Sequence, residues 1–159
     1  MIFLDGFTSV LVYACLLSVG IMISGIYWPR NLFDYTSALY RQRNWEKSNK
    51  VYGFLKVSKW KGRVPDMSKI VGKMPDKRIS CLNVDTLNMM IKETCVAEFA
   101  HILLIIFAIP MNFMWDGIYG FVCFLMYSIG NIPFIIIQRY NRPRLIKVLE
   151  RLENRQCES

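Results

Sequence analysis

The sequence predicts an all-α membrane protein with three transmembrane helices plus interfacial amphipathic helices in a long basic cytoplasmic loop. Its 159 residues are 53% hydrophobic and yet carry a net charge of +8. A globule of this size has too little interior to bury so much apolar surface. A bilayer accepts that surface and leaves the charges in water. The apolar residues also form long runs, so we expect a single membrane domain over residues 1–159.

Three runs without Asp, Glu, Lys or Arg define the predicted spans. They cover residues 6–27, 99–115 and 117–137. At about 1.5 Å per residue, the first and third runs can cross a hydrocarbon core about 30 Å thick. The second run is at the short end of the spanning range and contains Pro110. No Lys or Arg precedes the first run, which therefore does not resemble a cleaved signal peptide.

All 20 basic residues lie in two segments. The loop 28–97 holds 14 of them and the tail 138–159 holds 6. The positive-inside rule then predicts a multi-pass cell-membrane protein whose loop and tail are cytoplasmic. The N-terminus and the turn over residues 111–116 are expected outside.

The long loop contains eight aromatic residues, which is unusual for a disordered linker. Residues 30–51 mix apolar and basic side chains and are predicted to form an interfacial helix. Residues 54–61 fit a strand or a helix, and glycines and prolines predict a turn-rich centre over residues 62–75. A helix capped by Asn83 or Asp85 is expected to run unbroken into the second span.

The single histidine lies where that helix enters the predicted bilayer, together with two carboxylates. Glu98 precedes His101 by one turn and Glu93 precedes it by about two, so the three share one face. A carboxylate beside a histidine can fix its tautomer and raise its basicity, as a general base requires. We therefore name His101, Glu98 and Glu93 as candidate catalytic residues. The alternative is a helix end whose carboxylates pair with lysines of the loop.

A metal site is not expected. Glu-x-x-His is a ligand spacing of helical carboxylate metal proteins, in which several helices contribute ligands. This chain has no second histidine, and no other predicted span carries a carboxylate. The five cysteines form no Cys-x-x-Cys pair and indicate neither zinc nor a disulfide framework.

The end of the third span carries candidate substrate-binding residues. Asn131 precedes Pro133, whose missing N–H leaves a backbone carbonyl unbonded, so Asn131 forms either a pocket rim or a local repair. Arginines can fork onto phosphates or a carboxylate, or can simply anchor the helix. The binding candidates here are Asn131, Gln138, Arg139, Tyr140, Asn141, Arg142 and Arg144.

The loop offers a second set of basic and aromatic residues, which suits an anionic lipid headgroup or a phosphorylated ligand. Simple anchoring to the membrane surface is the alternative, and nucleic acid is not an expected partner of a lipid-embedded chain. The candidates are Trp45, Glu46, Lys59, Lys61 and Arg63.

Six short strings occur in an order typical of a known family. They are Tyr27-Trp-Pro, Arg41-x-Arg-x-Trp-Glu46, Tyr52-x-x-Leu-x-Val-x-Lys-Trp-Lys61, Pro65-Asp66, Glu93-x4-Glu98-x-x-His101 and Asn131-x-Pro-x4-Gln-Arg-Tyr-Asn-Arg-Pro-Arg-Leu145. Through these strings, from about residue 25 to residue 150, the chain resembles the glycosyl-diaponeurosporenoate acyltransferase family of staphyloxanthin-type carotenoid biosynthesis. The resemblance implies transfer of a fatty acyl chain to a sugar hydroxyl of a membrane-embedded glycolipid.

The leading hypothesis is therefore a membrane acyltransferase. His101 would deprotonate the acceptor hydroxyl, Glu98 would orient His101, and the tail arginines would hold an anionic acyl donor such as acyl-CoA or an acyl carrier protein. Membrane lipids are the other expected partners, and no bound cofactor is expected. The alternatives are a non-catalytic lipid-binding or accessory membrane subunit, and another chemistry such as methyl transfer or reduction. No Gly-rich phosphate loop or Gly-x-Ser-x-Gly elbow is present.

Overall fold

A computed structural model describes residues 2–47, 50–61 and 83–157, which form helices and turns with no strand among them. Within these residues, three segments are long and apolar enough to cross a bilayer, namely Leu4–Tyr27, Val84–Met114 and Ile118–Arg155, so the predicted fold class is confirmed. The helices are α1 (Ile2–Tyr27), α2 (Asn44–Lys47), α3 (Lys50–Phe54), α4 (Val57–Trp60), α5 (Val84–Phe107), α6 (Met111–Met114) and α7 (Ile118–Cys157).

Helix α5 begins where the sequence predicts. The Asn83 Oδ1 accepts a hydrogen bond from the Thr86 N–H at 2.7 Å, which satisfies one of the unpaired donors at the helix start. Asn83 is thus the cap, and the helix runs unbroken into the second apolar segment.

The predicted second span, residues 99–115, is not one continuous helix. Helix α5 ends at Phe107, and a turn leads into the short helix α6. Pro110 has no N–H to continue the α-helical pattern. The preceding residue, Ile109, instead bonds to the Ile106 carbonyl three residues back, at 3.2 Å. After α6, Gly117 adopts a φ of 70°, which glycine tolerates best, and the chain enters α7.

The single interfacial helix predicted over residues 30–51 is also wrong. A short 3₁₀ turn, irregular turns and the separate helices α2 and α3 occupy this stretch. Asp34 accepts hydrogen bonds from both the backbone N–H and the hydroxyl of Thr36, which favours a turn over a helix. Residues 54–61 contain helix α4, and the turn-rich centre predicted over residues 62–75 lies outside the described residues.

Helix α7 extends well beyond the predicted third span of residues 117–137. It continues through Pro133 and Pro143 to Cys157, so the described part of the basic tail is helical.

The chain divides into two compact units. The first, called here the apolar unit, comprises Met1–Pro29 and Val96–Ile136. Its core is formed by Val10, Ala108, Met111 and Trp115. A Cβ on Gly6 would lie 2.5 Å from the Trp115 Cδ1, so this close approach of helix and indole requires glycine.

The second unit, called here the basic unit, comprises Arg30–Cys95 and Ile137–Ser159. Leu87, Ile91 and Leu149 form an apolar cluster in it. The same unit also buries charged side chains, among them Glu46 and Arg142. The prediction of one membrane domain over residues 1–159 stays a prediction.

Candidate functional site

The predicted site residues fall into both units. Glu98, His101 and Asn131 belong to the apolar unit, and the remaining candidates that the structure describes belong to the basic unit. Arg63 and the side chain of Trp45 lie outside the described residues.

In the apolar unit, His101 is bonded to Asn131. The His101 Nδ1 lies 2.8 Å from the Asn131 Oδ1, and the Asn131 Nδ2 donates to the Tyr127 backbone carbonyl at 2.9 Å. A carbonyl can only accept, so the amide nitrogen must face Tyr127 and the amide oxygen must face the histidine. His101 therefore donates through Nδ1–H. In the neutral ring this leaves the lone pair on Nε2, the nitrogen that can take a proton from a substrate.

The imidazole ring is also fixed by packing. It stacks on Phe134 with ring centroids 4.6 Å apart and an angle of 15° between the planes. Asn131 does not use its amide to repair the helix at Pro133, because its bonds go to Tyr127 and His101 rather than to the Ile129 carbonyl. One residue of α7 thus bonds to its own helix and holds a side chain of α5.

Two further polar residues of the apolar unit are buried. Glu98 is 1% exposed and makes contacts within the protein, and its predicted role in orienting His101 stays a prediction. The Ser128 hydroxyl is buried one turn before Asn131 and has no hydrogen-bond partner in the part of the chain that the structure describes.

Glu93 belongs to the basic unit, where Arg30 pairs with it. The Arg30 Nε and Nη2 donate to its two carboxylate oxygens at 2.7 and 3.3 Å. This two-point ion pair resembles the alternative in which the carboxylates of the helix end pair with lysines of the loop, except that the partner is an arginine. The sequence-based catalytic role of Glu93 stays a prediction.

The Glu46 carboxylate of the basic unit accepts four hydrogen bonds from described residues. It is 1% exposed and accepts from the Arg139 Nε at 2.6 Å, the Arg139 Nη2 at 3.0 Å and the Arg43 backbone N–H at 2.7 Å. The Tyr52 hydroxyl donates at 3.1 Å. Burial raises the pKa of Glu46, but the bonds from Arg139 and Arg43, with the charge of Arg139, outweigh burial and leave the pKa below its usual value.

Arg139 and Arg142 of α7 also bond to three consecutive backbone carbonyls of the loop. Arg139 donates to the carbonyls of Leu39 and Arg41 at 3.2 and 3.4 Å, and Arg142 donates to the Tyr40 carbonyl at 2.9 Å. The two motifs that begin at Arg41 and at Gln138 therefore contact each other. Gln138 itself is half-buried.

Arg142 is only 3% exposed. Its Nε donates to the Thr94 hydroxyl at 2.9 Å, and its Nη2 donates to the Thr94 carbonyl at 3.1 Å. The guanidinium also lies 5.3 Å from the centroid of the Tyr40 ring. These bonds give Arg142 a structural role in joining α7, α5 and the loop. Its predicted contact with substrate stays a prediction.

A second group of cations surrounds Tyr140. The Arg144 guanidinium lies 3.8 Å from the ring centroid, and the Lys61 Nζ lies 4.9 Å from it. Lys61 also donates to the Asn141 Oδ1 at 3.2 Å. Tyr52 packs edge-on against Tyr140. Lys59, two residues before Lys61 in the chain, is exposed.

The basic unit also contains an open cleft of about 470 Å³. Several of its lining residues are absent from the motifs that the sequence points to, among them Tyr35, Gln42 and Lys147. The α7 positions in the lining are 139, 142, 143, 146, 147 and 150. Their spacing of three and four residues is that of one helical face, which was the available signal for Lys147.

Comparisons with known proteins point to one family. Residues 36–151 match the family model described as glycosyl-4,4'-diaponeurosporenoate acyltransferase. Proteins of that name from Staphylococcus aureus strains MRSA252 and N315 are 31% and 30% identical to this chain over 145 residues. Each alignment covers 90% of this chain and 87% of the relative. No solved structure matches.

The matched region contains His101, Asn131 and every lining residue of the basic cleft except Tyr35. The family that the sequence motifs resemble is therefore confirmed: this chain belongs to the glycosyl-4,4'-diaponeurosporenoate acyltransferase family.

Proposed function

We propose that this protein is a membrane acyltransferase that moves a fatty acyl chain from a thioester donor to a sugar hydroxyl of a membrane-embedded glycolipid. Family membership supports acyl transfer, and the name of the relatives supplies a glycosylated carotenoid acid as the model acceptor. The observation that carries the proposal is the hydrogen bond between His101 and Asn131.

The proposed reaction uses the Nε2 of His101 as a general base. It takes the proton of the acceptor hydroxyl as the oxygen attacks the thioester carbonyl carbon. The new C–O ester bond forms, the C–S bond breaks, and the proton on Nε2 passes to the leaving thiolate. Throughout, Nδ1–H remains bonded to the Asn131 amide oxygen, which stabilises the tautomer and the ring orientation. Asn131 is thus a positioning residue, and Glu98 is a second candidate for that role.

The test is acyl transfer by His101→Ala. General-base catalysis typically contributes about 10²–10⁴-fold, and we expect a loss of that size from a variant that still inserts and folds. Asn131→Leu keeps the base but removes its partner, so a smaller loss in kcat is expected with little change in KM. The assay follows radiolabelled acyl chains onto glycolipid acceptors, with melting temperature in detergent as the measure of folding.

Ile106→Ala is the matched control, because Ile106 is an exposed residue of the same helix and should retain activity. Full activity in folded His101→Ala would remove the proposed base. That result would favour the alternative of a non-catalytic lipid-binding or accessory subunit, in which the cations around Tyr140 bind lipid headgroups.

We also propose that the reaction occurs at the cytoplasmic face of the cell membrane, with the N-terminus and the turn at Asp116 outside. The confinement of every Lys and Arg to residues 28–97 and 138–159 supports this orientation. Single cysteines at positions 116 and 60 in a cysteine-free background provide the test. An impermeant thiol reagent added to intact cells should label position 116 and not position 60. The reverse pattern would overturn the orientation.

A further inference from the structure

We infer that the cleft of the basic unit binds the phosphate groups of a phosphopantetheine thioester. The inference rests on the proposed function for the identity of this ligand as the acyl donor. The cleft itself is defined by geometry and charge, and its binding can be measured without turnover.

The cations that line the cleft divide into those that stabilise it and those that remain available to a ligand. Four cationic and two acidic side chains line it. Arg139 neutralises Glu46, and Arg142 is buried against Thr94 and Tyr40. Arg41 and Lys147 are exposed, and neither side chain forms an ion pair with any residue that the structure describes. Glu150 is the second acidic residue of the lining, so the six charged side chains sum to a net charge of +2, and Arg41 and Lys147 are the exposed cations among them.

Both of these cations extend from fixed backbone. Arg139 and Arg142 hold the carbonyls of Leu39, Tyr40 and Arg41, so the segment that carries the Arg41 side chain is tied to α7. Lys147 lies on α7 itself. A pair of charges held in this way loses little backbone freedom when a ligand binds, which favours affinity.

The chemistry of the lining fits a phosphorylated ligand. Arginine and lysine donors are the side chains that proteins use most for phosphate oxygens. Thr36 and Gln42 add neutral hydrogen-bonding groups, and Tyr35 adds an aromatic ring. The volume of about 470 Å³ lies within the range of small-molecule sites, about 300–1,000 Å³. Two sources share the phosphopantetheine chemistry, namely coenzyme A and the prosthetic group of an acyl carrier protein.

The test is calorimetric titration of the full-length protein, in a zwitterionic detergent without anionic lipid, with coenzyme A. Loss of one cation–phosphate contact should raise Kd roughly tenfold, about 1.4 kcal/mol. We expect that effect from Arg41→Glu and at least that effect from Lys147→Glu. Arg151→Glu is the matched control, since it reverses the same charge one turn further along α7 outside the cleft lining, and should change Kd by less than about twofold.

Titrations with three further compounds, namely pantetheine, holo-carrier protein and apo-carrier protein, identify the ligand. Pantetheine, which lacks phosphate, should bind far more weakly than coenzyme A. Tight binding of holo- but not apo-carrier protein would identify the protein-bound source, and tight binding of coenzyme A alone would identify the soluble one. Lys147→Gln is a second variant with a milder change, should Lys147→Glu fail to fold.

The inference is overturned if coenzyme A binds no more tightly than pantetheine and holo-carrier protein no more tightly than apo-carrier protein. It is also overturned if folded Lys147 variants bind as Arg151→Glu does. His101→Ala should bind coenzyme A with the affinity of the parent. Binding with this pattern in a protein that transfers no acyl chain would retain the cleft and reject the proposed function. Acyl transfer that is unaffected by Arg41→Glu and Lys147→Glu would retain the function and reject the cleft.

Discussion

The apolar unit and the basic unit handle polar groups in opposite ways. In the apolar unit, Asn131 makes one bond to His101 and one to Tyr127, and the buried Ser128 hydroxyl finds no partner among the described residues. In the basic unit, the Glu46 carboxylate accepts four hydrogen bonds and Arg142 donates through all three of its nitrogens. The few hydrogen bonds around His101 leave its Nε2 available as a proton acceptor. The many hydrogen bonds of Glu46 and Arg142, called here the saturated network, fix the loop.

The arginines in the C-terminal half of α7 that the sequence marks as binding candidates therefore have separate roles. Arg139 and Arg142 occur in the same short motif as Arg144, and the sequence alone gives no reason to assign the three different roles. The first two stabilise loop backbone, while Arg144 is exposed and stacks on Tyr140. Stability should therefore depend mainly on Arg139 and Arg142, and activity on residues with available donors or acceptors.

The largest expected effect on stability is that of Arg139→Leu. It leaves the buried Glu46 carboxylate without its cation, and breaking one side of a buried pair typically costs about 3–5 kcal/mol in free energy of unfolding. Replacing both partners, in Glu46→Leu with Arg139→Leu, should recover part of the loss. Chemical unfolding in detergent measures both.

Arg144→Leu is the comparison for that experiment, because it removes an exposed arginine from the same helix. We expect a cost of less than about 1 kcal/mol. Equal costs for Arg139→Leu and Arg144→Leu would mean that the saturated network does not stabilise the basic unit.

A smaller effect is expected from acid. The pKa of Glu46 is depressed in the folded protein, so the ionised carboxylate contributes stability that is fully present above its unfolded pKa of about 4.5. That contribution is lost as the pH falls through the folded pKa. Melting temperature measured from pH 7 to pH 3 should therefore fall more steeply in the parent than in Glu46→Gln. Parallel curves would contradict the assignment of this dependence to Glu46.

The smallest effect distinguishes two hydroxyls of similar burial. Ser128→Ala removes a hydroxyl without a partner and should leave stability unchanged or raise it by up to about 1 kcal/mol. Thr94→Val removes a hydroxyl that bonds to Arg142 and to the Ile91 carbonyl, and should cost about 1–3 kcal/mol. Melting of the two variants side by side provides the measurement. A larger loss from Ser128→Ala would show that this hydroxyl has a partner in the native membrane.

The sequence by itself determined the helical class and the three apolar segments, and it narrowed the cap of α5 to Asn83 or Asp85. These features depend on local properties, namely hydropathy over about 20 residues and the unpaired donors at a helix start. The family followed from the sequence as well, since the motifs that carry the resemblance are contiguous strings.

Only the tertiary structure decided which side chains meet. Helical spacing predicted Glu98 as the partner of His101, because residues one turn apart share a face. The structure provides Asn131, 30 residues away on another helix, as a hydrogen-bond partner of His101, while the role of Glu98 stays a prediction. It also shows Arg139 and Arg142 bonded to the loop carbonyls. The cleft with Arg41 and Lys147 arises from the same packing of α7 and loop. Such contacts depend on which faces of separate helices are brought together, and the periodicity of one helix does not contain that information.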